Sequence, residues 1–139
     1  MGRSTLTSGS FLLDTNIVIA FLEDDIQVHA ELNQASEIFV PVVAIGELYF
    51  GAAKSGRPGQ NAARIDQFVE DRSILYIDSA VARQYGTLKN NLRRKGRPIP
   101  ENDMWIAAIA LERGLTLVTR DAHFGAIDDL LIASWSTPT

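Results

Sequence analysis

Short runs of consecutive apolar residues alternate along this chain with longer stretches whose apolar positions recur at helical spacing. Phe11–Leu13 is the first such run. After Asp14–Thr15–Asn16 a helical pattern covers Ile17–Leu22, and the acidic Glu23–Asp24–Asp25 ends that helix or caps a second one near His29–Ala35. Glu37–Val40 predicts a second strand closed by Pro41. Val42–Ser55 predicts a helix with proline at its start, where a missing N–H costs nothing. Gly56, Pro58 and Gly59 mark a loop before a helix that reaches about Arg72. Ile74–Ile77 reads as a third strand, Ser79–Lys95 as a long polar helix ending at Gly96, and Arg97–Asn102 as a loop. A helix over Asp103–Arg113 stops at Gly114, and Leu115–Thr119 and Leu131–Ser134 supply the fourth and fifth strands.

Strands that are apolar throughout and separated by helices predict a parallel sheet covered on both faces, an α/β fold. Ligands of such sheets sit outside the carboxyl ends of the strands, so the residues just after each strand are the ones to inspect.

Composition narrows the chemistry. At 139 residues, with 46% apolar and 22% charged residues, the chain fits one domain with a proper core. Met1–Ser10 is polar, carries one arginine and reads as a mobile tail, which leaves 11–139 as the domain. No cysteine is present, which excludes disulfide scaffolds, iron–sulfur clusters and thiolate zinc sites and suits a reducing cytoplasm. No apolar stretch approaches the ~20 residues of a membrane span, so no membrane partner is expected. The net charge of −4 argues against simple electrostatic coating of nucleic acid. That charge is uneven, however. Between Lys54 and Arg97 lie 10 of the 13 basic residues and only 4 acids, a net +6, inside an otherwise acidic chain.

Four acids stand in telling places. Asp14 directly follows the first strand and Asp121 the fourth, so both fall on one edge of the predicted sheet. Asp103 opens an apolar helix, and Glu47 is the only charged residue between Pro41 and Ala53. Each has an ordinary alternative. Asp14, Asp103 and Asp121 are all good helix caps, and Glu47 would be an unremarkable surface residue if its neighbours were exposed. Their conjunction weighs more. Two unit charges 4 Å apart cost ~4 kcal/mol at an effective dielectric near 20. Converging carboxylates therefore call for raised pKa values or a cation. An oxygen-only donor set suits Mg²⁺, with Mn²⁺ as a substitute, and such ions serve the hydrolysis of phosphate esters. The residues thus point to metal-assisted phosphodiester hydrolysis.

Leu13–Asp14–Thr15–Asn16, Glu47–Leu48–Tyr49–Phe50–Gly51–Ala52, Asn102–Asp103–Met104–Trp105–Ile106–Ala107–Ala108 and Leu117–Val118–Thr119–Arg120–Asp121 carry a further signal. In this order the chain resembles the PIN-domain ribonucleases, and within them the VapC-like toxins of prokaryotic toxin–antitoxin pairs. Gly96–Arg97–Pro98–Ile99 and His123–Phe124 fit more weakly, and the likeness runs from about Phe11 to Trp135. It implies a three-layer α/β/α sandwich with a central parallel sheet. It also implies that Asp14, Glu47, Asp103 and Asp121 are catalytic and form a Mg²⁺ site, with Glu47 tuning it or holding a second ion. Cleavage would leave a 5′-phosphate and a 3′-hydroxyl on an RNA such as tRNA or ribosomal RNA. The implied partners are a small VapB-like antitoxin and a second copy of the chain, as a homodimer.

The neighbours of the acids are read next. Thr15, Asn16 and Thr119 are candidates for orienting the carboxylates or binding water, against ordinary turn chemistry. Asn102 reads as a turn or cap residue, and His123 as structural, since no nucleophilic serine or cysteine motif accompanies it. Phe50, Phe68 and Trp105 read as core. Two basic clusters, Lys54/Arg57/Arg64 and Arg93/Arg94/Lys95/Arg97, are candidates for RNA-phosphate contact, although cations at the end of the long helix also complement its dipole. Two rivals remain: a non-catalytic module of the same fold, and a receiver-type signalling domain. The latter lacks paired acids after the first strand.

Overall fold

The computed structural model describes residues 9–136. Five strands form one sheet in the order β3-β2-β1-β4-β5, and every neighbouring pair is parallel. The strands are β1 (Ser10–Leu13), β2 (Glu37–Pro41), β3 (Ser73–Leu75), β4 (Thr116–Val118) and β5 (Ile132–Ala133). The helices are α1 (Thr15–Leu22), α2 (Ile26–Gln34), α3 (Val42–Ala53), α4 (Pro58–Glu70), α5 (Ser79–Lys95) and α6 (Glu101–Arg113). A 3₁₀ turn, Ala122–Ala126, follows β4. These layers make the predicted three-layer α/β/α sandwich.

The central strand shows why the pattern reads as it does. Leu12 and Leu13 have no exposed surface, and Leu117, Val118 and Val40 beside them are equally buried. A strand buried on both faces cannot alternate in polarity. The register pairs Leu13 with Val118, and the Asp14 N–H donates to the Val118 carbonyl at 2.9 Å. The chain therefore leaves β1 and β4 side by side, and Asp14 and Thr119 emerge together at the carboxyl edge.

Most predicted bounds agree to within a few residues, and the differences have local causes. Ser10, placed with the tail in the sequence reading, is the first residue of β1, and its hydroxyl donates to Glu37 at 2.7 Å. Of that tail, residues 1–8 lie outside the described residues, as do 137–139. The acidic run does both jobs proposed for it. Glu23 closes α1, and the Asp25 carboxylate accepts from the Val28 N–H at 3.0 Å to cap α2. Helix α6 starts at Glu101 rather than Asp103, because Pro100 with φ −56° supplies the entry. Gly96 and Gly114 close α5 and α6 in the left-handed region, at φ +68° and +66°.

Phe50 departs from expectation. It is not core but 66% exposed, one of the large apolar side chains left on the surface. Phe68 is buried as expected, and Trp105 is half-buried, stacked on Tyr85 with ring centroids 3.8 Å apart. Among the described residues no helix is long and apolar enough to cross a membrane.

Candidate active site

Asp14 caps α1 from the end of β1. Its Oδ1 accepts from the Thr15 N–H at 2.8 Å, and its Oδ2 accepts from the Thr119 hydroxyl at 2.8 Å. Both residues are nearly sealed from solvent, Asp14 at 4% exposure and Thr119 at 2%. Burial raises the Asp14 carboxyl from 3.8 to about 6. The two hydrogen bonds oppose that rise, and the nearby Asp103 and Glu47 charges add to it. So the predicted cap geometry is present, yet it does not make Asp14 an ordinary cap. A carboxylate this buried, with no cationic partner among the described residues, is costly unless a cation arrives.

The other acids come from three further elements. Glu47, half-buried at mid-α3, accepts from the Thr15 hydroxyl at 2.6 Å. This meets the expectation that a lone Glu on that helix needs a partner. Asp121 accepts from the His123 N–H at 3.3 Å and so caps the 3₁₀ turn, and its own N–H donates to the Thr119 hydroxyl oxygen at 3.1 Å. Asp103 is not a cap. It lies inside the first turn of α6, where Pro100 takes the cap position, and its carboxylate meets the His123 imidazole. Burial pushes the Asp103 carboxyl up, His123 pulls it down, and Glu47 and Asp121 push it up further.

Asp14, Thr15, Asn16, Glu47, Asp103 and Asp121 all line a single open concavity of about 510 Å³, together with Ile19, Pro100, Glu101, Asn102 and His123. Thr119 is buried and does not line it, but is bonded to Asp14, which does. Asn16 reaches Asp14 Oδ2 at 3.4 Å through its amide nitrogen, and its amide oxygen accepts from the Arg120 N–H at 3.3 Å. The three polar neighbours singled out in the sequence thus touch the carboxylates or their support. Asn102, expected to cap or turn, is instead the second residue of α6 on the rim of the concavity.

His123, read as structural in the sequence, stands against two of the acids. Its Nε2 meets Asp103, and its Nδ1 lies 2.9 Å from Asp121 Oδ1. The ring thus stands between two carboxylates, one at each nitrogen. The usable signal was its position two residues beyond Asp121, on the same sheet edge. Asp103, Asp121 and His123 can each offer a ligand atom with all three atoms within 4.8 Å of one another. The gathered carboxylates, with a His123 ring nitrogen beside them, are a donor set that can hold a divalent metal ion.

The basic residues are not in this concavity. Lys95 is committed elsewhere, to Asp128 at 2.7 Å and the Ala126 carbonyl at 2.9 Å. Arg64 donates to the Leu22 carbonyl, Arg57 to Gln60 and Arg93 to Asn90. Lys54 lies over the Phe50 ring, 4.8 Å from its centroid, beside an adjoining concavity.

Fold and site together define a class: a parallel α/β/α domain with carboxylates from four elements gathered at the carboxyl edge of its sheet, where they can hold a divalent metal. The PIN domain family model matches residues 11–130, and the chain belongs to the PIN-domain family. Its relatives are VapC ribonucleases. It is 37% identical over 128 residues to Ribonuclease VapC2 of Haemophilus influenzae, covering 90% of this chain and 97% of that one. It is 35% identical over 130 residues to the tRNA(fMet)-specific endonuclease VapC of Shigella flexneri, covering 91% and 98%. Among solved structures, the DNA-bound VapBC of Salmonella typhimurium superposes with a TM-score of 0.87 at 31% identity, covering 91% of this chain and 98% of that one.

Proposed function

We propose that this chain is a Mg²⁺-dependent endoribonuclease and the toxin of a toxin–antitoxin pair. The observation that carries the reading is the gathering of Asp14, Glu47, Asp103 and Asp121 into one open concavity, with the most buried of them oriented on both oxygens. A divalent cation bound there would supply Lewis acidity toward a phosphate ester and its attacking water. The protein's own part is positional. Thr119 and the Thr15 N–H fix Asp14, the Thr15 hydroxyl fixes Glu47, and His123 spans Asp103 and Asp121. Asp14, Asp103 and Asp121 would hold the cation directly or through water, and Glu47 would tune it or help hold a second. Thr15, Asn16 and Thr119 act through the carboxylates.

The substrate class we favour is tRNA, because a relative of 35% identity is a tRNA(fMet)-specific endonuclease. A small antitoxin is the proposed partner, since the solved relatives include VapBC assemblies. A homodimer in the cytoplasm completes the proposal.

The test is cleavage of purified tRNA with Mg²⁺ and with chelator. Products should carry 5′-phosphate and 3′-hydroxyl ends, and Asp14→Asn or Asp103→Asn should abolish them while leaving the circular dichroism spectrum intact. Cleavage retained by Asp14→Asn would overturn the proposal. Absence of both cleavage and calorimetric Mg²⁺ or Mn²⁺ binding would favour a non-catalytic module of the same fold.

A further inference from the structure

Helix α3 carries more than Glu47 toward the site. Glu47, Phe50 and Lys54 stand three and four residues apart, so they fall along one face of the helix. The stripe runs carboxylate, aromatic ring, ammonium, over about 10 Å of helix rise. Phe50 is 66% exposed, and Lys54 Nζ sits 4.8 Å from its ring centroid. These residues border a second concavity of about 620 Å³, and Glu47 and Asn102 line both this one and the catalytic one. The two spaces therefore share a wall. Gly46 and Gly51 also line it, and a Cβ built on either meets nothing within 4 Å. The surface beside the ring is open at these two positions.

Resting on the nuclease reading above, we propose that Phe50 is a stacking platform for a nucleobase flanking the scissile phosphate, with Lys54 holding the neighbouring phosphate. A single strand presents phosphate, base and phosphate in turn, and the stripe answers with an acidic metal-site residue, an aromatic ring and a cation. Stacking on an aromatic ring tolerates any base because every base has a π face. Phe50 thus serves strand positioning rather than sequence reading. Exposure alone does not single it out, since Ile26 and Leu131 are also exposed; its place beside the carboxylates, under an ammonium, does. A second copy of this chain is the other occupant an exposed phenylalanine could have, and leucine separates the two. Leucine keeps apolar contact but has no π face.

The experiment measures binding apart from chemistry. Fluorescein-labelled single-stranded RNA of mixed sequence is titrated into Asp103→Asn protein carrying Phe50→Ala, Phe50→Leu, Phe50→Tyr or Lys54→Ala. Steady-state cleavage is measured in the otherwise wild-type background. Phe50→Ala and Phe50→Leu should each weaken RNA binding by about five- to a hundredfold, and Phe50→Tyr should restore it. In cleavage, KM should rise with kcat near wild type, the signature of lost uniform binding. Lys54→Ala should weaken binding more at low salt than at high salt. Unchanged RNA affinity in Phe50→Leu would overturn the inference. So would a Phe50→Ala protein whose only defect is loss of a dimer on size-exclusion chromatography. Absence of cleavage by the wild type would count against the nuclease reading, whereas intact cleavage and binding in the Phe50 variants would count against this inference alone.

Discussion

In the unfolded chain the Asp14 carboxyl titrates near 3.8, and in the folded site burial raises it to about 6. The folded state therefore binds that proton more tightly. The stabilisation from protonated Asp14 is fully present below pH 3.8 and is lost as pH rises through about 6. About two pKa units correspond to roughly 3 kcal/mol. Asp103 shifts in the same direction. Asp25 and Asp78, lowered mainly by the Arg120 hydrogen bond and the Val81 N–H respectively, act oppositely and matter only in acid. Metal-free protein should thus melt at lower temperature at pH 8 than at pH 5. Asp14→Asn should raise the pH 8 melting temperature in chelator while abolishing cleavage. Mg²⁺ should raise the wild-type melting temperature more at pH 8 than at pH 5, and should do little for Asp14→Asn. Thermal melts across pH, with chelator and with Mg²⁺, read all of these. The four acids were legible in the sequence because strand ends and a lone Glu on an apolar helix mark them locally. His123 and Phe50 were not, because whether a side chain meets a carboxylate or open solvent depends on which elements pack around it.

Helix ends show how local chemistry becomes site geometry. Glycine closes both α5 and α6 at positive φ, where a Cβ is strained. Gly114→Ala should therefore cost about 1 kcal/mol, a fall of about 4 °C in melting temperature, with kcat and KM unchanged when assayed well below the transition. This follows because Gly114 lies at the far end of α6 from Asp103, which sits in its first turn. The start of that helix was the harder reading. An Asp before an apolar run has the look of a cap, but Pro100 takes the cap, and Asp103, three residues further in, lines the concavity. Arg120 adds a tie of its own kind. Its guanidinium reaches Asp25 at 3.1 Å and the Trp135 carbonyl at 2.8 Å, while its N–H donates to Asn16. It thereby joins the α2 cap, the segment after β5 and the first turn of α1 beside Asp14.

At the scale of the whole molecule the charge separates into an acidic edge of the sheet and a basic stretch of chain. The parallel order of the sheet brings the acids after β1 and β4 to one edge, and the stretch from Lys54 to Arg97 stays basic. That the sheet is parallel was legible in strands apolar throughout. Which basic residues remain available was not, because pairing is settled only when distant segments meet. Lys95 is paired with Asp128 and the Ala126 carbonyl, whereas among the described residues Arg93, Arg94 and Arg97 have no carboxylate partner. A cation already engaged by a carboxylate releases little counterion on meeting RNA, and a free one contributes about 0.7 to the salt slope on a single strand. If the last turn of α5 meets RNA phosphates, Arg93→Ala with Arg94→Ala should reduce the slope of log affinity against log salt by about 1 to 2, uniformly across RNA sequences. Lys95→Ala should leave that slope near wild type. Binding isotherms on catalytically silent Asp103→Asn protein over a series of salt concentrations measure it. An unchanged slope in the double arginine variant would assign that turn to the helix dipole alone, and with it the surplus positive charge at the end of α5.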